Sequence, residues 1–229
     1  MKNFSINNWV YRADINEINK LRNFQVANIG DAKNRIGCIP HSRLKPINQL
    51  KLIGSAYTVK VPAGDNLLIY YAIDNAKKGD ILVIDGVDYK DRALVGEILV
   101  SFAIKKGIAG IVVNGAIRDY EKLKELNIPI YFSGISPNGP YKNGPGYVNY
   151  PISINNVVIN PGDIIIGDQD GLVSVRPGEI DEIVESVEKI VAKENSTLSK
   201  INNDSLDLNW LYEFLSGKDI DFFGEEYDD

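Results

Sequence analysis

The chain has 229 residues, of which 44% are hydrophobic and 24% charged, so it can bury the core of an ordinary globular protein. The net charge of −6 argues against a general nucleic-acid binder, and no apolar run approaches the roughly 18 to 20 residues of a membrane span. A single cysteine, Cys38, and an N-terminus without a secretory signal pattern predict a cytoplasmic protein.

The first 50 residues are predicted to be helical and irregular. Asp14 is a candidate N-cap for a helix that reaches Leu21, and a second short helix is expected over 28–37, closed by Gly37. The lone histidine, His41, lies in a polar stretch and is predicted to be an exposed loop residue. One histidine excludes a zinc site of two or three histidines, and no G-x-S-x-G motif accompanies it for a serine triad.

From Leu52 onward, apolar runs alternate with helical patterns. Strands are predicted over 52–61, 81–86, 108–114 and 128–132, and helices over 66–76, 97–106 and 119–126. Asp65 is a candidate N-cap for the first of these helices. On the second helix, the residues expected to face inward are Ile98, Leu99, Phe102 and Ala103. This alternation predicts a largely parallel sheet with crossover helices.

A glycine- and proline-rich loop over 133–150 is expected to be either functional or disordered. Short β segments follow up to residue 175, and a helix is predicted from Glu179 to about Ile201. The predicted organisation is an N-terminal helical segment (1–50), a core (51–178), a C-terminal helical extension (179–218) and a disordered acidic tail (219–229).

Arg118 and Asp119 follow a buried strand directly. Ligands of open α/β sheets bind beyond the carboxyl ends of strands, and Gly115 would let a ligand approach the backbone. The pair is therefore a candidate site for an anion and a metal ion. The alternative is structural: Asp119 would cap the following helix and Arg118 would pair with a surface carboxylate.

Glu97 follows Gly96 at the predicted start of a helix. A carboxylate in the first turn is favoured by the helix dipole, which is the structural interpretation. In the functional interpretation, the free amides of this turn, from Gly96 to Leu99, bind a substrate carboxylate while Glu97 faces the metal or its waters.

Glu194 lies fourteen positions after Ile180, inside the apolar stripe of the last helix. A carboxylate there would face the core, a subunit interface or a site. The alternative is a side chain near the helix end that reaches out to water.

Two further motifs give weaker evidence for a functional site. Residues 168–171 resemble the opening of a calcium-binding loop, but the downstream glutamate of an EF-hand is missing, so a β-turn is predicted. Asp85 and Gly86 follow a strand without a G-x-G-x-x-G motif, so no dinucleotide or adenosylmethionine fingerprint is present.

An ordered set of motifs resembles the RraA-like family, which contains the regulator RraA of ribonuclease E and the 4-hydroxy-4-methyl-2-oxoglutarate aldolases. The motifs are D-A-x-x-R-x-G at 31–37, G-D-N-L at 64–67, G-D-I-L-V-I-D-G at 79–86, G-E at 96–97, G-I-V-V-N-G-A-I-R-D at 110–119, P-G-D at 161–163 and G-D-x-D-G at 167–171. The resemblance spans about residues 25 to 195. The loop at 134–149 and the long C-terminal extension look more like the aldolases than the short regulators.

The resemblance implies a "swivelling" β/β/α domain that assembles as a homotrimer or a homohexamer. It implies that Asp119 binds Mg²⁺ or Mn²⁺, that Arg118 contacts the keto oxygen of pyruvate, and that the amides of Ile98 and Leu99 hold its carboxylate. Gly96 and Asn66 would also contact the substrate. Glu97 stands where the best-known aldolases have aspartate, and Glu194 would be the glutamate supplied by a neighbouring subunit.

The leading hypothesis is therefore a metal-dependent lyase that releases pyruvate from 4-hydroxy-2-oxo acids through a stabilised enolate and also decarboxylates oxaloacetate. Its partners would be a small 2-oxo acid and further copies of the chain, with no nucleic acid and no membrane. The alternative is a non-catalytic, RraA-type regulator that binds a ribonuclease. A methyltransferase is a third hypothesis, which no glycine-rich cofactor loop supports.

Overall fold

The computed structural model describes residues 4–220 and residue 224. The helices are α1 Ile15–Lys20, α2 Val26–Ala32, α3 Leu67–Asn75, α4 Glu97–Lys106, α5 Tyr120–Glu125, α6 Ile180–Asn202 and α7 Asn209–Ser216. The strands are β1 Phe4–Ile6, β2 Cys38–Pro40, β3 Lys45–Pro46, β4 Leu52–Lys60, β5 Asp80–Val95, β6 Gly110–Ile117, β7 Ile130–Ile135, β8 Gly146–Val148, β9 Ile152–Ile154, β10 Val157–Ile159, β11 Ile164–Asp168 and β12 Gly171–Val175.

One large mixed sheet organises the fold, in the order β2-β12-β11-β4-β5-β6-β7-β3, and β8 joins it through β4 and carries β1. The four central strands, β4 to β7, are parallel, as the alternating pattern predicts. The flanking strands are antiparallel, so the prediction of a largely parallel sheet holds for the centre only. For β11 and β12 the reason is local, because the tight turn at 168–171 joins them as a hairpin and returns the chain antiparallel.

Both faces of the sheet are buried. One face packs under α3, α4 and α5 and includes Leu82, Ile84 and Val113 among its fully buried side chains. The other face includes Ile81, Val83 and Tyr131 and is covered in part by the β9–β10 hairpin. Burial on both faces explains the continuous apolar runs of the central strands.

Strand β5 is longer than predicted. The polar residues after Gly86 end the apolar pattern, yet pairing with β6 continues through three register shifts between Asp85 and Val95. The first shift contains Val87 and Asp88, which take left-handed backbone angles. After the bend, Val95 of β5 pairs with Ile117 of β6. This pairing places Gly96, which follows β5, beside Arg118, which follows β6.

Several local predictions are confirmed. Asp14 caps α1 by accepting a hydrogen bond from the Asn16 amide at 2.8 Å, and α4 has the predicted bounds. His41 is exposed, with its Nδ1 atom 2.8 Å from the Gln169 carbonyl oxygen. The second helix is wrong in extent, since α2 ends at Ala32, and Asn34 and Arg35 adopt positive φ angles that a helix cannot continue through.

Contacts divide the chain into two compact units, Met1–Glu188 and Lys189–Asp229. The sheet lies in the first unit. The described part of the second contains the end of α6 and helix α7, and its exposed apolar side chains include Leu198, Trp210 and Phe214. Most of the predicted acidic tail lies outside the described residues. Within the described ranges, no helix combines the length and apolarity needed to cross a bilayer.

Candidate active site

A cavity of about 280 Å³ opens at the carboxyl ends of β5 and β6, beside the first turn of α4. Its lining residues come from these elements, from α3 and from the loop before β8: Asn66, Tyr70, Ala93, Leu94, Val95, Gly96, Ile98, Leu99, Arg118, Gly139, Pro140 and Lys142. All of them belong to the first unit. This is the place in a parallel sheet where small ligands bind.

Arg118 lines this cavity with a partly exposed side chain. Its Nε atom is 3.6 Å from Oδ2 of Asp119, which is too long for a strong hydrogen bond. Among the described residues, Asp119 is the carboxylate within ion-pair distance, so Arg118 pairs with its partly exposed neighbour in the chain, which the structural alternative allows. The guanidinium thus retains donors that can face a ligand.

Asp119 occupies the N-cap position of α5, but its side chain makes no capping hydrogen bond there. With φ 58° and ψ 36°, its backbone is left-handed, and its Oδ2 atom instead accepts a hydrogen bond from the Glu97 amide at 3.0 Å. Asp119 therefore occupies the N-cap position that the structural alternative predicts, but its side chain does not cap α5. The carboxylate is directed toward the start of α4.

A glycine is required at position 96 because the side chains of Asp119 and Arg118 approach its backbone closely. A Cβ atom at this position would lie 2.6 Å from Oδ2 of Asp119 and 2.9 Å from Cγ of Arg118. Its φ of −146° and ψ of −172° are extended angles that any residue adopts. Gly96 therefore serves to admit the two side chains rather than to relieve the backbone.

Glu97 begins α4, and its carboxylate accepts a hydrogen bond from Lys122 of α5 at 2.8 Å. This bond raises the pKa of the Lys122 ammonium group. Neither Glu97 nor Asp119 lines the cavity itself, although each adjoins a residue that does. Lys122 was not predicted as a site residue, because its contact with Glu97 joins two helices and depends on the tertiary structure.

The first turn of α4 presents unengaged amides. The Glu97 amide is used by Asp119, whereas those of Ile98 and Leu99 have no hydrogen-bond partner among residues 4–220 and 224. The Ile98 side chain is 71% exposed, so the prediction that it faces inward is wrong. It lines the cavity because this turn lies at the edge where the strands end. Leu99 and Ala103 are buried, as predicted.

Asn66, at the N-cap position of α3, also lines the cavity. Its Nδ2 atom donates to the Leu94 carbonyl oxygen at 3.1 Å, which orients the amide. Its buried Oδ1 atom has no hydrogen-bond partner in the described part of the chain. Asp65, the predicted N-cap, does accept a bond from the Leu67 amide at 2.9 Å, but from one residue before the cap position.

Lys142 is a cavity residue that the sequence analysis did not single out. It comes from the glycine- and proline-rich loop, and its Nζ atom lies 5.0 Å from the ring centroid of Tyr70. The loop was recognised as a candidate functional segment, but which of its side chains reaches the cavity depends on the tertiary structure. The cavity therefore has two cationic side chains, those of Arg118 and Lys142.

Glu194 lies on α6 in the second unit and is exposed. It takes part in an interaction of its own. On the same stripe, Ile180, Ile183 and Val187 are buried, whereas Leu198 is exposed. The role of Glu194 at a neighbouring subunit's site stays a prediction.

The described residues contain no group of three or more histidine, cysteine, aspartate or glutamate side chains that could enclose a metal ion. A zinc site built from three or four such side chains does not fit them. Mg²⁺ commonly keeps several waters and takes one or two carboxylates together with substrate oxygens. The partly exposed carboxylate of Asp119, beside the cavity, fits that mode.

These features define a class: an α/β protein with a candidate site for a small anionic ligand at the carboxyl ends of its parallel strands. The RraA-like family model, described as Aldolase/RraA, matches residues 26–174. A candidate 4-hydroxy-4-methyl-2-oxoglutarate aldolase of Halalkalibacterium halodurans is 36% identical over 194 residues, covering 84% of this chain and 92% of the relative. The chain therefore belongs to the RraA-like family.

Two solved structures agree with this assignment. One is RraAS2 of Streptomyces coelicolor, described as an unusual member of the RNase ES inhibitor RraA family, with a TM-score of 0.73, 26% identity and coverage of 82% of this chain and 97% of that one. The other is the RNA-processing inhibitor RraA of Thermus thermophilis, with a TM-score of 0.63, 28% identity and coverage of 67% and 93%.

Proposed function

We propose that this protein is a divalent-metal-dependent lyase that cleaves 4-hydroxy-2-oxo acids and releases pyruvate. The observation that carries the proposal is that one cavity brings together Arg118 and the unengaged amides of Ile98 and Leu99. A guanidinium beside a helix N-terminus suits a 2-oxo acid, whose carboxylate and keto oxygen are adjacent. Asp119, fixed on the Glu97 amide, is the proposed ligand for Mg²⁺ or Mn²⁺.

In the proposed reaction, the C3–C4 bond of the substrate breaks and its electron pair passes to the keto oxygen, giving the enolate of pyruvate. The C4 hydroxyl loses its proton, C4 becomes a carbonyl in the second product, and C3 gains a proton. Arg118 stabilises the charge that develops on the keto oxygen, and Glu97 orients a water that carries the proton. The bound ion would supply Lewis-acid polarisation of the same oxygen.

Lys142 is the proposed contact for the part of the substrate beyond its 2-oxo acid group. It lies on the cavity wall supplied by the loop and would pair with a second carboxylate at the far end of a 2-oxo dicarboxylic acid. Oxaloacetate has such a carboxylate and loses CO₂ through the same enolate, so we include oxaloacetate decarboxylation. The aldolase name of the Halalkalibacterium relative supports the same substrate class.

We further propose that the active form is a homotrimer or a homohexamer in which Glu194 of one subunit completes the site of another. The resemblance to the family supports this assembly. Its support from the chain is that Glu194 shares a stripe with the exposed apolar side chains of Leu198 and Ile201.

The test is release of pyruvate from 4-hydroxy-4-methyl-2-oxoglutarate and from oxaloacetate, with Mg²⁺ or Mn²⁺ and with EDTA. We expect activity that EDTA abolishes and that Arg118→Ala reduces by about 10²- to 10³-fold. Arg22→Ala is the matched control, because Arg22 is exposed and bonds only to Asn19 among the described residues. Activity that survives both EDTA and Arg118→Ala would remove the proposal.

A second candidate function is an RraA-type regulator that binds a ribonuclease. The likeness to two RraA structures at 26% and 28% identity favours it. Co-purification with a ribonuclease, combined with no turnover of any 2-oxo acid, would rank it first.

A further inference from the structure

We propose that Asp65 is a positioning residue that holds Lys142 on the cavity wall and thereby makes the protein selective for 2-oxo acids with a second carboxylate. This inference rests on the proposed function. It concerns a residue that neither lines the cavity nor contacts the reacting atoms.

Asp65 is 3% exposed and joins two segments of the chain. Its Oδ1 atom accepts a hydrogen bond from the Leu67 amide at 2.9 Å, at the start of α3. Its Oδ2 atom accepts two bonds from the loop, from the Asn143 amide at 2.5 Å and the Gly144 amide at 3.0 Å. An ionised carboxylate that accepts three backbone N–H groups is a strong and directional link.

The backbone next to Asp65 strengthens the same link. The Asn66 amide donates to the Tyr141 carbonyl oxygen at 3.0 Å, and the Tyr141 amide donates to the Gly64 carbonyl oxygen at 2.8 Å. Lys142 thus lies between Tyr141, fixed by this ladder, and Asn143, fixed by the Asp65 carboxylate. The backbone of Lys142 is held on both sides although its side chain is exposed.

Arg92 holds the other end of the loop. Its Nη1 atom donates to the Gly139 carbonyl oxygen at 2.8 Å, and its guanidinium carbon lies 4.2 Å from the ring centroid of Tyr141. The loop is therefore ordered by specific contacts rather than left free. Asp65 makes the contact that directly adjoins Lys142.

The substitution Asp65→Asn weakens this link without changing the size of the side chain. Asparagine has one acceptor oxygen and no charge, so that oxygen can serve either the Leu67 amide or the amides of Asn143 and Gly144. In either orientation its NH₂ group faces a donor, and the loop loses the charge-assisted contact.

The experiment compares kcat/KM for 4-hydroxy-4-methyl-2-oxoglutarate, which has a second carboxylate, with kcat/KM for 4-hydroxy-2-oxopentanoate, which has none. Lys142→Met should lower the ratio of the two values by about 10- to 100-fold, the range of a lost charge-assisted hydrogen bond. Asp65→Asn should lower the same ratio by about tenfold. The double variant should fall no further than Lys142→Met alone, because both changes remove one interaction.

Asp163→Asn is the matched control. Asp163 is also buried, and it accepts a hydrogen bond from the Asn160 amide at 2.8 Å in the turn between β10 and β11, outside the residues that line this cavity. It should leave the substrate ratio unchanged. Hydrogen exchange provides a second measurement, in which the amides of Asn143 and Gly144 should exchange faster in Asp65→Asn while those of α3 stay protected.

Each outcome decides the inference. Equal loss for both substrates, or additive effects of Asp65→Asn and Lys142→Met on the ratio, would overturn the positioning role. If the wild-type protein turns over neither substrate, the proposed function fails. In that case hydrogen exchange still tests the positioning role separately. Unchanged exchange rates of the Asn143 and Gly144 amides in Asp65→Asn would overturn it.

Discussion

The carboxylate of Asp119 accepts a hydrogen bond from the backbone amide of Glu97 at 3.0 Å. One residue thus fixes the end of β6 to the first turn of α4. The bond leaves the second carboxylate oxygen of Asp119 available for a cation, and it places the proposed metal ligand next to the amides that would hold the substrate.

For Asp119→Asn we expect a loss of activity of at least about 10³-fold, because an amide is a poor ligand for Mg²⁺ and carries no charge. Mn²⁺ binding followed by electron paramagnetic resonance should weaken in parallel, which gives a measurement independent of turnover. Glu121→Gln, in the first turn of α5, is the control. Unchanged Mn²⁺ binding by Asp119→Asn would contradict the assignment.

Gly96→Ala should reduce activity by about 10- to 100-fold, because the new methyl group displaces Asp119 and Arg118 from their positions. The free energy of unfolding should fall by about 1 to 2 kcal/mol, because the displacement breaks the hydrogen bond between Asp119 and the Glu97 amide while the extended backbone itself accepts alanine. Gly178→Ala is the control, since a Cβ atom there meets no atom within 4 Å. Full activity of Gly96→Ala would show that the close approach is not needed.

Mixing two inactive variants tests the shared site. Arg118→Ala and Glu194→Gln should each be inactive alone, and subunit exchange between them should restore up to about a quarter of wild-type activity, since some sites then receive both intact residues. Measurement requires unfolding and refolding of the mixture, with size-exclusion chromatography to establish the assembly. Glu194→Gln with wild-type activity would remove Glu194 from the mechanism.

The ion pair between Lys33 and Glu179, at 2.6 Å, predicts a pH dependence of stability. Burial alone would raise the pKa of Glu179, but the hydrogen bond and charge of Lys33 outweigh it and lower the pKa below the ordinary 4.5. The stability from this pair is therefore present above pH 4.5 and is lost as the pH falls through the lowered value.

Glu179→Gln should cost about 0.5 to 1 kcal/mol at pH 7, because the pair is partly exposed and screened by water. The cost should be smaller at pH 3, because Glu179 is protonated in both states as the pH falls through its lowered pKa. Urea unfolding at both pH values measures it, with Glu182→Gln as the control. An equal cost at the two pH values would mean that charge is not the cause.

Arg12→Met should destabilise the fold by about 3 kcal/mol. Arg12 makes two hydrogen bonds of 2.7 Å to Asp80, whose side chain is 2% exposed, so the variant leaves a buried carboxylate without its cation. Thermal unfolding of Arg12→Met and of the double variant with Asp80→Asn checks the reason, because the second change should recover part of the loss.

Features that depend on residues close together in the sequence were predicted correctly, whereas features that depend on contacts between distant segments were not. The bounds of α4 are set locally, by Gly96 before it and by Gly107 in a left-handed conformation after it, and they were predicted. The continuation of β5 past Gly86 was not, because it depends on pairing with β6. Within the site, Arg118 and Asp119 were predicted from the sequence because they follow a buried strand directly. Lys142 and Lys122 were not predicted, because only tertiary contacts bring them to the site.

The bend in β5 has a consequence for the spacing of the chain. Beyond the left-handed residues Val87 and Asp88, Ala93 and Val95 still pair with Ala116 and Ile117. Between Asp85 and Val95 the chain advances ten residues while its partner strand advances three, from Asn114 to Ile117, so several residues of β5 bulge out of the ladder. This bulged segment sets the pairing of Val95 with Ile117, which brings Gly96 beside Arg118. We expect the segment to tolerate changes of residue type far better than changes of length.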